Sequence, residues 1–527
     1  MTNFDQMIAG LLRPGAYPEP VDEIVHIETH ISHVLLAGDY AYKIKKPVNL
    51  GFLDFSTAEK RHFYCEEELR LNGRLAPQLY LAVVPITGSY DSPALGGSGP
   101  VLEYAVKMRR FDQGGLLSTL PLQGDLPERV AERVAAFHTS IPPVAAEEAF
   151  GTPEAVLDPM LANFQVIRSH GCEEGVLKRL KVLEDWTLNR HRLLTPYLGQ
   201  RRAAGQVREC HGDMHRGNIA LDRGEILIFD GIEFNPALRW IDTQSELAFL
   251  LMDLEQAGEW EAARRLLNRY LELTGDYAGL VLLNFYQVYR ALVRTKVLVI
   301  RLRQDDLSSE ERERDRRARD DYLHLAEGYT LARQPCLLLL SGVSGSGKSR
   351  LGLGLRAALP LIHLRSDIER KRLFGFNELD STQAAGIEAG IYTAEAGALT
   401  YRRLLQLATQ VVDAGYSPLV DATFLRQAQR APFLTMASER GLACRVLACE
   451  APVEVLMERL TRRAAQGGDP SEAGVEVLQT QLCLKEAFTA AEEDLVIRVD
   501  TQQPEEVERL VRHLGEPCHW PLDPVGP

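Results

Sequence analysis

The nine residues "HGDMHRGNI", at 211–219, place acidic, basic and amide side chains in one short segment. Phosphoryl transfer needs a carboxylate at the acceptor hydroxyl and oxygen ligands for the Mg²⁺ on the nucleotide phosphates. Asp213 offers the carboxylate, and Asn218 offers an amide oxygen to a metal. The strand-like "EILIF" then leads to Asp230, a second metal-ligand candidate. The segment therefore predicts a phosphoryl-transfer site in preference to a polar turn between helices.

A second polar segment, "GVSGSGKS" at 342–349, matches the pattern G-x-x-x-x-G-K-S/T at every fixed position. An apolar run, "CLLLL", precedes it and a helical pattern follows, which is the setting in which this loop binds phosphate. Glycines let backbone N–H groups approach phosphate oxygens, and the helix N-terminus adds partial positive charge. Lys348 is expected to reach the β- and γ-phosphates, and Ser349 to ligate Mg²⁺. The other predicted nucleotide-binding residues of the loop are Gly342, Ser344, Gly345, Ser346 and Gly347.

The first segment lies in a part of the chain that changes from strands to helices. Residues 24–50 alternate apolar and polar, and "HVLLA" and "YAYKIK" are predicted as a hairpin with its turn at Gly38-Asp39. From about 126 the pattern is mainly helical. We therefore predict an α+β, two-lobed domain over 1–330, with a strand-rich lobe at about 20–110 and a helical lobe at about 111–300.

The second segment begins a different domain. A mixed-charge helix is predicted at about 308–330, because Ser308 and Glu311 fit a capping box and acids and bases nearly balance. We interpret this helix as a solvated connector. After Pro335 five strand-like runs alternate with helical patterns, which predicts an α/β domain with a mainly parallel sheet over 335–515. The Pro-rich residues 516–527 are predicted as an extended tail.

Composition limits the classes of partner and location. A chain of 527 residues is too long for one core, and its formal charge of −14 disfavours nucleic acid and anionic membranes as partners. Eight scattered cysteines without a C-x-x-C pair are typical of free thiols in a reducing cytoplasm. The N-terminus lacks the pattern of a signal peptide, and the apolar runs are too short and too charged to span a bilayer. We expect a cytoplasmic protein that acts on small molecules.

The order Asp213, Asn218, Asp230 resembles the catalytic loop and metal-binding Asp of protein kinases, with H-G-D in place of H-R-D. That variant is similar to aminoglycoside phosphotransferases and related small-molecule kinases, and the resemblance covers about 24–300. It implies ATP and Mg²⁺ as cofactors, with Asp213 as the catalytic base. It also implies a strand Lys on the α- and β-phosphates. Lys43 in "GDYAYK" matches that position, and Lys45, on the same strand face, is the alternative.

The same resemblance implies a helix Glu that pairs with the strand Lys. The run "CEEELRLN" offers three consecutive candidates, of which Glu68 is preferred over Glu66 and Glu67. Met108, in the predicted hinge strand "LEYAVKMRRF", is a candidate for the adenine slot, with plain core packing as the alternative.

Two departures from the protein-kinase pattern bear on the acceptor. The segment "ETHISH" stands where protein kinases carry G-x-G-x-x-G, which favours a small-molecule kinase. In addition, "DGIEF" replaces D-F-G, so that Glu233 is a candidate for the metal or the substrate.

Residues 335–515 resemble small P-loop kinases of the zeta-toxin, polynucleotide-kinase and gluconate-kinase type. By this resemblance Asp367, in "LRSDIERKRLFG", is the base that deprotonates the acceptor, and Asp421, in "LVDATF", is a carboxylate on the Mg²⁺ side. Lid arginines stabilise the transferring phosphoryl group in that family. Arg459, Arg462 and Arg463 are the candidates here, and a solvated helix face is the alternative for each.

The fusion of both patterns resembles a family of bacterial proteins that join a phosphotransferase-like domain to an ATP-binding P-loop domain. We interpret the chain as an ATP- and Mg²⁺-dependent bifunctional phosphotransferase, in which each half phosphorylates a hydroxyl of a small molecule. One alternative is a P-loop half that only senses nucleotide, against which Asp367 argues. Another is a C-terminal half that phosphorylates nucleic-acid ends or nucleotide sugars, and the acidic charge disfavours a nucleic-acid substrate.

Overall fold

The structure is a computed structural model that describes residues 2–49, 51, 53–305, 307–378, 380, 393–466 and 474–515. The chain divides into two compact units. The first unit contains Met1–Ala257 and Tyr289–Leu323, and the second contains Gly258–Val288 and His324–Pro527. The predicted Pro-rich tail at 516–527 lies outside the described residues.

The N-terminal part of the first unit is built on an antiparallel sheet. Within the described residues its strand order is β1-β2-β3-β6-β4-β5. The strands are β1 (Ile24–Glu28), β2 (Ser32–Ala37), β3 (Tyr40–Lys45), β4 (Tyr80–Ser89), β5 (Ser92–Leu95) and β6 (Val101–Arg109). The predicted hairpin is confirmed, because β2 and β3 pair across Gly38-Asp39 with Ala37 opposite Tyr40. Gly38 supplies the positive φ, 56°, that this tight turn requires.

Alternation along β3 sends its side chains to two faces of the sheet. Tyr42 and Ile44 are buried in the core that helix α1 (Asn3–Leu11) covers. Lys43 and Lys45 lie on the opposite face, which helix α2 (Ala58–Asn72) covers. The apolar residues of β3 thus hold the strand in place while its two lysines meet the helix.

The rest of the first unit is mainly helical, as predicted. The helices wholly within this unit are α3 (Leu126–Ser140), α4 (Pro153–Ser169), α5 (Glu174–Ala203), α6 (Pro236–Arg239) and α7 (Thr243–Gln256). Two more helices, α9 (Leu280–Arg301) and α10 (Ser309–Thr330), belong to it only in part. Two short antiparallel pairs interrupt them: β7 (Val207–Glu209) with β10 (Trp240–Asp242), and β8 (Ile219–Asp222) with β9 (Glu225–Ile228). Every residue of α7 from Thr243 to Leu254 is buried, so this helix is the centre of the lobe.

The second unit is an α/β domain with a parallel sheet, which confirms the predicted fold class. The described strands lie in the order β12-β13-β11-β14-β15. They are β11 (Cys336–Ser341), β12 (Leu361–Arg365), β13 (Ser417–Asp421), β14 (Ala443–Glu450) and β15 (Val496–Asp500). The helices are α8 (Trp260–Thr274), α11 (Lys348–Ala358), α12 (Ser366–Leu373), α13 (Ala394–Asp413), α14 (Gln427–Glu439), α15 (Val453–Gln466), α16 (Val475–Leu484), α17 (Ala490–Glu493) and α18 (Glu506–Gly515).

Helix α8 belongs to this second unit, although the sequence places it within the predicted domain 1–330. Asn268 donates its side-chain N–H to the carbonyl of Leu361 (2.9 Å) and accepts the N–H of His363 (2.8 Å). One amide side chain thereby satisfies two backbone groups of β12, the edge strand of the sheet. The predicted division at 330–335 stays a prediction, and the structure adds Gly258–Val288 to the P-loop unit.

A buried ion pair fixes α8 to α11. Glu272 and Arg356 are 3% and 4% exposed, and Arg356 Nη1 donates to Glu272 Oε1. We expect Glu272→Gln to destabilise the second unit by roughly 3–5 kcal/mol, because it leaves a buried guanidinium without its carboxylate. Calorimetric unfolding of the full chain measures the shift. The matched control is Glu261→Gln on the same helix, whose exposed partner contact should be worth at most about 1 kcal/mol. Equal effects of the two substitutions would contradict the prediction.

The capping box predicted at the start of α10 is confirmed. Ser308 N–H donates to Glu311 Oε2 (3.0 Å), and Glu311 N–H donates to Ser308 Oγ (3.2 Å). The interpretation of this helix as a solvated connector is wrong for its C-terminal half, where Tyr322 and Leu323 are buried. The charged residues dominate the composition of the helix, but its few apolar residues fall on one face and pack.

The described cysteines, Cys65, Cys172, Cys210, Cys336, Cys444, Cys449 and Cys483, are free thiols. Among the helices of the described part, none combines the length and the apolar character that crossing a membrane demands.

Candidate functional site

The "HGD" segment of the first unit follows β7 and is held from several directions. Gly212 N–H donates to Glu246 Oε1 of the buried helix α7 (2.6 Å). His211 Nε2 lies 2.9 Å from the carbonyl oxygen of Phe229, the residue before Asp230. His211 therefore links the "HGD" loop to the segment that carries Asp230. Gly212 links the same loop to the buried helix α7.

Asp213 and Asn218 are brought together in this loop. Asn218 Nδ2 donates to the backbone carbonyl of Asp213 (3.0 Å) and lies 3.3 Å from its Oδ2. These contacts use the amide N–H group and leave Asn218 Oδ1 as the acceptor that a metal would need. His215 Nε2 is 3.6 Å from Asp213 Oδ2. Burial acts to raise the pKa of Asp213, but His215, His211 and Arg294 outweigh it and hold the pKa at about 2, so the carboxylate is ionised at neutral pH.

Asp230 ends the β8–β9 hairpin in a left-handed backbone conformation, with φ at 62°. That conformation is uncommon for a residue other than glycine and is often found at functional positions. The N–H of Asp230 donates to the hydroxyl of Tyr80 (3.1 Å), which fixes it. The carboxylate is half exposed and lies 2.7 Å from Lys43 Nζ. The structure thus brings Asp230 and the preferred strand Lys into contact.

Both lysines of β3 engage the same helix carboxylate. Glu68, with no exposed surface, lies 2.8 Å from Lys43 Nζ and 2.7 Å from Lys45 Nζ. Burial acts to raise the pKa of Glu68, but the two ammonium groups lower it below its usual value. Lys45 also pairs with Glu233, and both side chains are buried. Glu233 is therefore engaged by Lys45 instead of being presented to a metal or substrate.

Lys43 and Lys45 differ in what else they reach. Lys43 contacts Asp230 and is 14% exposed, whereas Lys45 is 1% exposed and pairs with the buried carboxylates of Glu68 and Glu233. This geometry favours Lys43 for the nucleotide phosphates, which remains a prediction. Met108 is half-buried against the core that contains Tyr80, and its role at adenine also remains a prediction.

The P-loop of the second unit connects β11 to α11. Gly345 and Gly347 have φ values of 81° and 86°, and a Cβ at Gly347 would lie 2.9 Å from the Thr501 side chain. These two positions therefore require glycine. Lys348 Nζ donates to the carbonyls of Gly342 (2.8 Å) and Val343 (2.9 Å) and is nearly buried. Burial lowers the pKa of Lys348, and Asp421 acts in the opposite direction.

The predicted residues of this half meet in one cavity of about 530 Å³ at the carboxyl ends of the parallel strands. This edge is where ligands bind in open α/β sheets. The predicted residues that line it are Ser344, Gly345, Gly347, Lys348, Ser349, Asp367, Asp421, Arg459, Arg462 and Arg463. Ser346 is fully buried beneath the loop, and Gly342 lies at its start.

The two carboxylates of this cavity have different surroundings. Asp421 ends β13, and burial acts to raise its pKa, but His363 and Lys348 lower it. Its Oδ2 is buried and accepts no hydrogen bond from any described residue. Asp367 lies in the first turn of α12, with Oδ2 3.0 Å from Arg365 Nη2 and Oδ1 accepting the N–H of Ile368. The carboxylate of Asp421 is thus held against His363, and Asp367 accepts hydrogen bonds on both of its oxygens.

The lid arginines are not equivalent. Arg459 donates to the carbonyl of Gly345 (3.3 Å) and to Thr501 Oγ1 (2.9 Å), so it ties the P-loop to the end of β15. The charge of Arg463 acts on the pKa of Lys348, which places it near the loop. Arg462 is exposed and lies 3.8 Å from Glu458. Which of them meets phosphate stays a prediction.

Sequence reasoning missed a histidine behind Asp421. His363 Nε2 lies 3.4 Å from Asp421 Oδ2, and the imidazole has no exposed surface. A Cβ at Gly352 of α11 would lie 2.7 Å from that ring, so glycine makes room for it. A His with apolar neighbours on both sides in the strand "LIHLR" was the available signal.

Comparisons with known proteins find several similar sequences and structures. A model of the AAA domain family matches residues 337–486. An uncharacterized protein of Mycobacterium tuberculosis is 30% identical over 515 residues, which cover 96% of this chain and 97% of the relative. A sugar kinase from a Janibacter species is 22% identical, covers 35% of this chain and 94% of its own, and has a TM-score of 0.27. An amicoumacin kinase is 13% identical, covers 61% and 92%, and has a TM-score of 0.36.

Proposed function

We propose that this chain, which belongs to the same family as the mycobacterial relative, is a bifunctional ATP-dependent phosphotransferase. Each unit would transfer the γ-phosphoryl group of ATP to a hydroxyl of a small molecule. The acceptor oxygen bonds to the γ-phosphorus, the bond to the bridging oxygen breaks, and ADP leaves. The hydroxyl proton passes to Asp213 in the first unit and to Asp367 in the second. The cytoplasm, where ATP is abundant, is the proposed location.

One observation carries the proposal for the first unit. Three residues that are far apart in sequence form one connected cluster, in which Lys43 lies 2.7 Å from Asp230 and 2.8 Å from Glu68. Asp213 and Asn218 join it through the loop contact to Phe229. A carboxylate base, an ammonium for phosphate and oxygen ligands for a metal are the parts that phosphoryl transfer requires.

Mg²⁺ fits the donor sets of both units. Hard cations prefer carboxylate and amide oxygens. Asn218 Oδ1 and the half-exposed carboxylate of Asp230 would hold the ion in the first unit, and Ser349 and Asp421 would hold it in the second. When bound, the ion neutralises charge on the phosphates of ATP. Ser349 and Asp421 line the same cavity as Lys348, which supports this assignment.

The nucleotide-sensing alternative for the second unit has one supporting observation. Both carboxylate oxygens of Asp367 already accept hydrogen bonds, from Arg365 and from the N–H of Ile368. A base must exchange one such partner for an acceptor hydroxyl. The cavity that contains Lys348, Ser349 and Asp421 beside Asp367 nevertheless favours transfer.

The test is release of ADP by the full chain in the presence of a panel of hydroxylated small molecules. We expect release to rise with particular acceptors and to fall to the background rate in the double variant Asp213→Asn/Lys348→Ala. Release that is the same with and without every acceptor would refute phosphotransfer. Tight ATP binding by the second unit without turnover would instead support the sensor.

A further inference from the structure

The part of helix α9 that lies in the first unit, from Tyr289 onward, carries basic side chains beside the "HGD" loop. Arg290 is 4% exposed and donates from Nη1 to the carbonyl of Gly212 (3.0 Å). Its Nε donates to the carbonyl of Ser245 (3.2 Å). Gly212 directly precedes Asp213, so a buried guanidinium lies one residue away from the proposed base.

Arg294, one turn further along α9, is a second cation at this loop. Its charge contributes to the low pKa of Asp213. Arg294 Nε donates to the hydroxyl of Tyr322 (3.4 Å), and that hydroxyl lies 3.4 Å from Asp253 Oδ1. Asp253 also accepts the backbone N–H and the Nε–H of Arg216, at 3.0 and 3.1 Å. Asp253 therefore pairs directly with Arg216 and is connected to Arg294 through the hydroxyl of Tyr322.

Lys296 is a third cation on α9, and it is half-buried. Within the described ranges, its ammonium makes neither a hydrogen bond nor an ion pair. Burial lowers the pKa of Lys296 and the charge of Arg290 lowers it further, while the carboxylate of Asp213 acts in the opposite direction. A half-buried ammonium without a counter-ion costs free energy, and a bound anion would offset that cost.

The carboxylates near these cations are already engaged. Glu246 of α7 accepts the N–H of Gly212 and lies 2.9 Å from His138 Nε2. Asp253 pairs with Arg216. Asp213 itself must remain free to meet the acceptor hydroxyl. Within the described residues, neither Arg290 nor Lys296 has a carboxylate among its hydrogen-bond or ion-pair partners.

We propose that the acceptor of the first unit is a small hydroxylated anion, with a carboxylate or phosphate group that Lys296 binds. This proposal rests on the proposed function of that unit. Opposite charges attract strongly where water is partly excluded, and a polycationic acceptor would be repelled by Arg290, Arg294 and Lys296. The phosphates of ATP would have cationic partners of their own, namely Lys43 and a metal that Asn218 and Asp230 would hold.

The experiment measures ADP release by the full chain carrying Lys348→Ala, so that turnover reports on the first unit. Acceptors are offered in matched trios that differ in one group, such as glucuronate, glucose and glucosamine. We expect turnover to favour the anionic member. Lys296→Met should raise the KM for that acceptor by about 10–100-fold and change the KM for ATP by less than about twofold. Lys296→Arg, which keeps the charge, should restore most of the loss.

The control is Lys178→Met, which removes an exposed lysine from a surface pair with Glu174 and should change neither KM. Preference for the amine-bearing member of the trios would overturn the proposal and leave phosphotransfer intact. An equal rise in the KM for ATP would also overturn it, because Lys296 would then serve the nucleotide. If no compound in any trio raises ADP release and Asp213→Asn leaves the rate of ADP release unchanged, both the proposed function of the first unit and the proposed acceptor class are refuted.

Discussion

Replacing Asp213 by Asn lowers acceptor-dependent phosphorylation by the first unit by about two to four orders of magnitude, the usual contribution of a positioned base. The substitution keeps the size of the side chain and its place beside Asn218. It removes a carboxylate that its pKa of about 2 keeps ionised at neutral pH. ATP binding should change by less than about threefold, because the nucleotide contacts are assigned to other residues.

Steady-state turnover beside ATP affinity, measured on the full chain with Lys348→Ala, checks this result. Asp185→Asn is the matched control, because it makes the same substitution in an exposed pair with Lys181. Asp230→Ala should behave differently from Asp213→Asn and weaken the use of Mg²⁺·ATP. Wild-type turnover in Asp213→Asn would remove the proposed base.

Replacing Lys348 by Ala abolishes ATP binding by the second unit. Lys348 is the ammonium of the P-loop, and its Nζ contacts the loop carbonyls of Gly342 and Val343. Without this ammonium, the loop lacks the main side chain that would neutralise the negative charge of the β- and γ-phosphates. Calorimetric titration of the full chain with ATP should therefore show one site where the wild type shows two.

A second substitution in the same unit separates binding from transfer. Asp367→Asn should keep both ATP sites and lose acceptor-dependent phosphorylation by this unit, because Asp367 faces the acceptor in the proposed mechanism. Lys485→Ala, at an exposed lysine, is the control for the loss of a positive charge. Two intact ATP sites in Lys348→Ala would show that the P-loop assignment is wrong.

The features that sequence predicted well depend on local patterns. The hairpin of β2 and β3 follows from alternation around Gly38-Asp39, and the parallel sheet of the second unit follows from five short apolar runs separated by helical patterns. Each pattern is written within a few consecutive residues. The P-loop is of the same kind, since its glycines, its lysine and the flanking strand are adjacent in the chain.

The features that sequence left open depend on long-range packing. Lys43 and Lys45 share a strand face, so spacing alone cannot separate them. The contact between Lys43 and Asp230, which joins residues 187 positions apart, favours Lys43. Three consecutive glutamates were candidates for the helix carboxylate that pairs with the strand lysine. The way α2 packs on β3 brings Glu68 into contact with both lysines. The pairing of Asn268 with β12 had no local signal at all.

The placement of α8 in the second unit affects how the protein is made. Glu272 and its partner Arg356 are separated by 84 positions. At a synthesis rate of roughly 5–20 residues per second, α8 leaves the ribosome about 4–17 s before α11 exists. During that interval the apolar face of α8, including Leu266 and Leu267, has no partner from the P-loop sheet. The nascent chain therefore exposes an apolar helix face during synthesis, and exposed apolar surface is what chaperones bind.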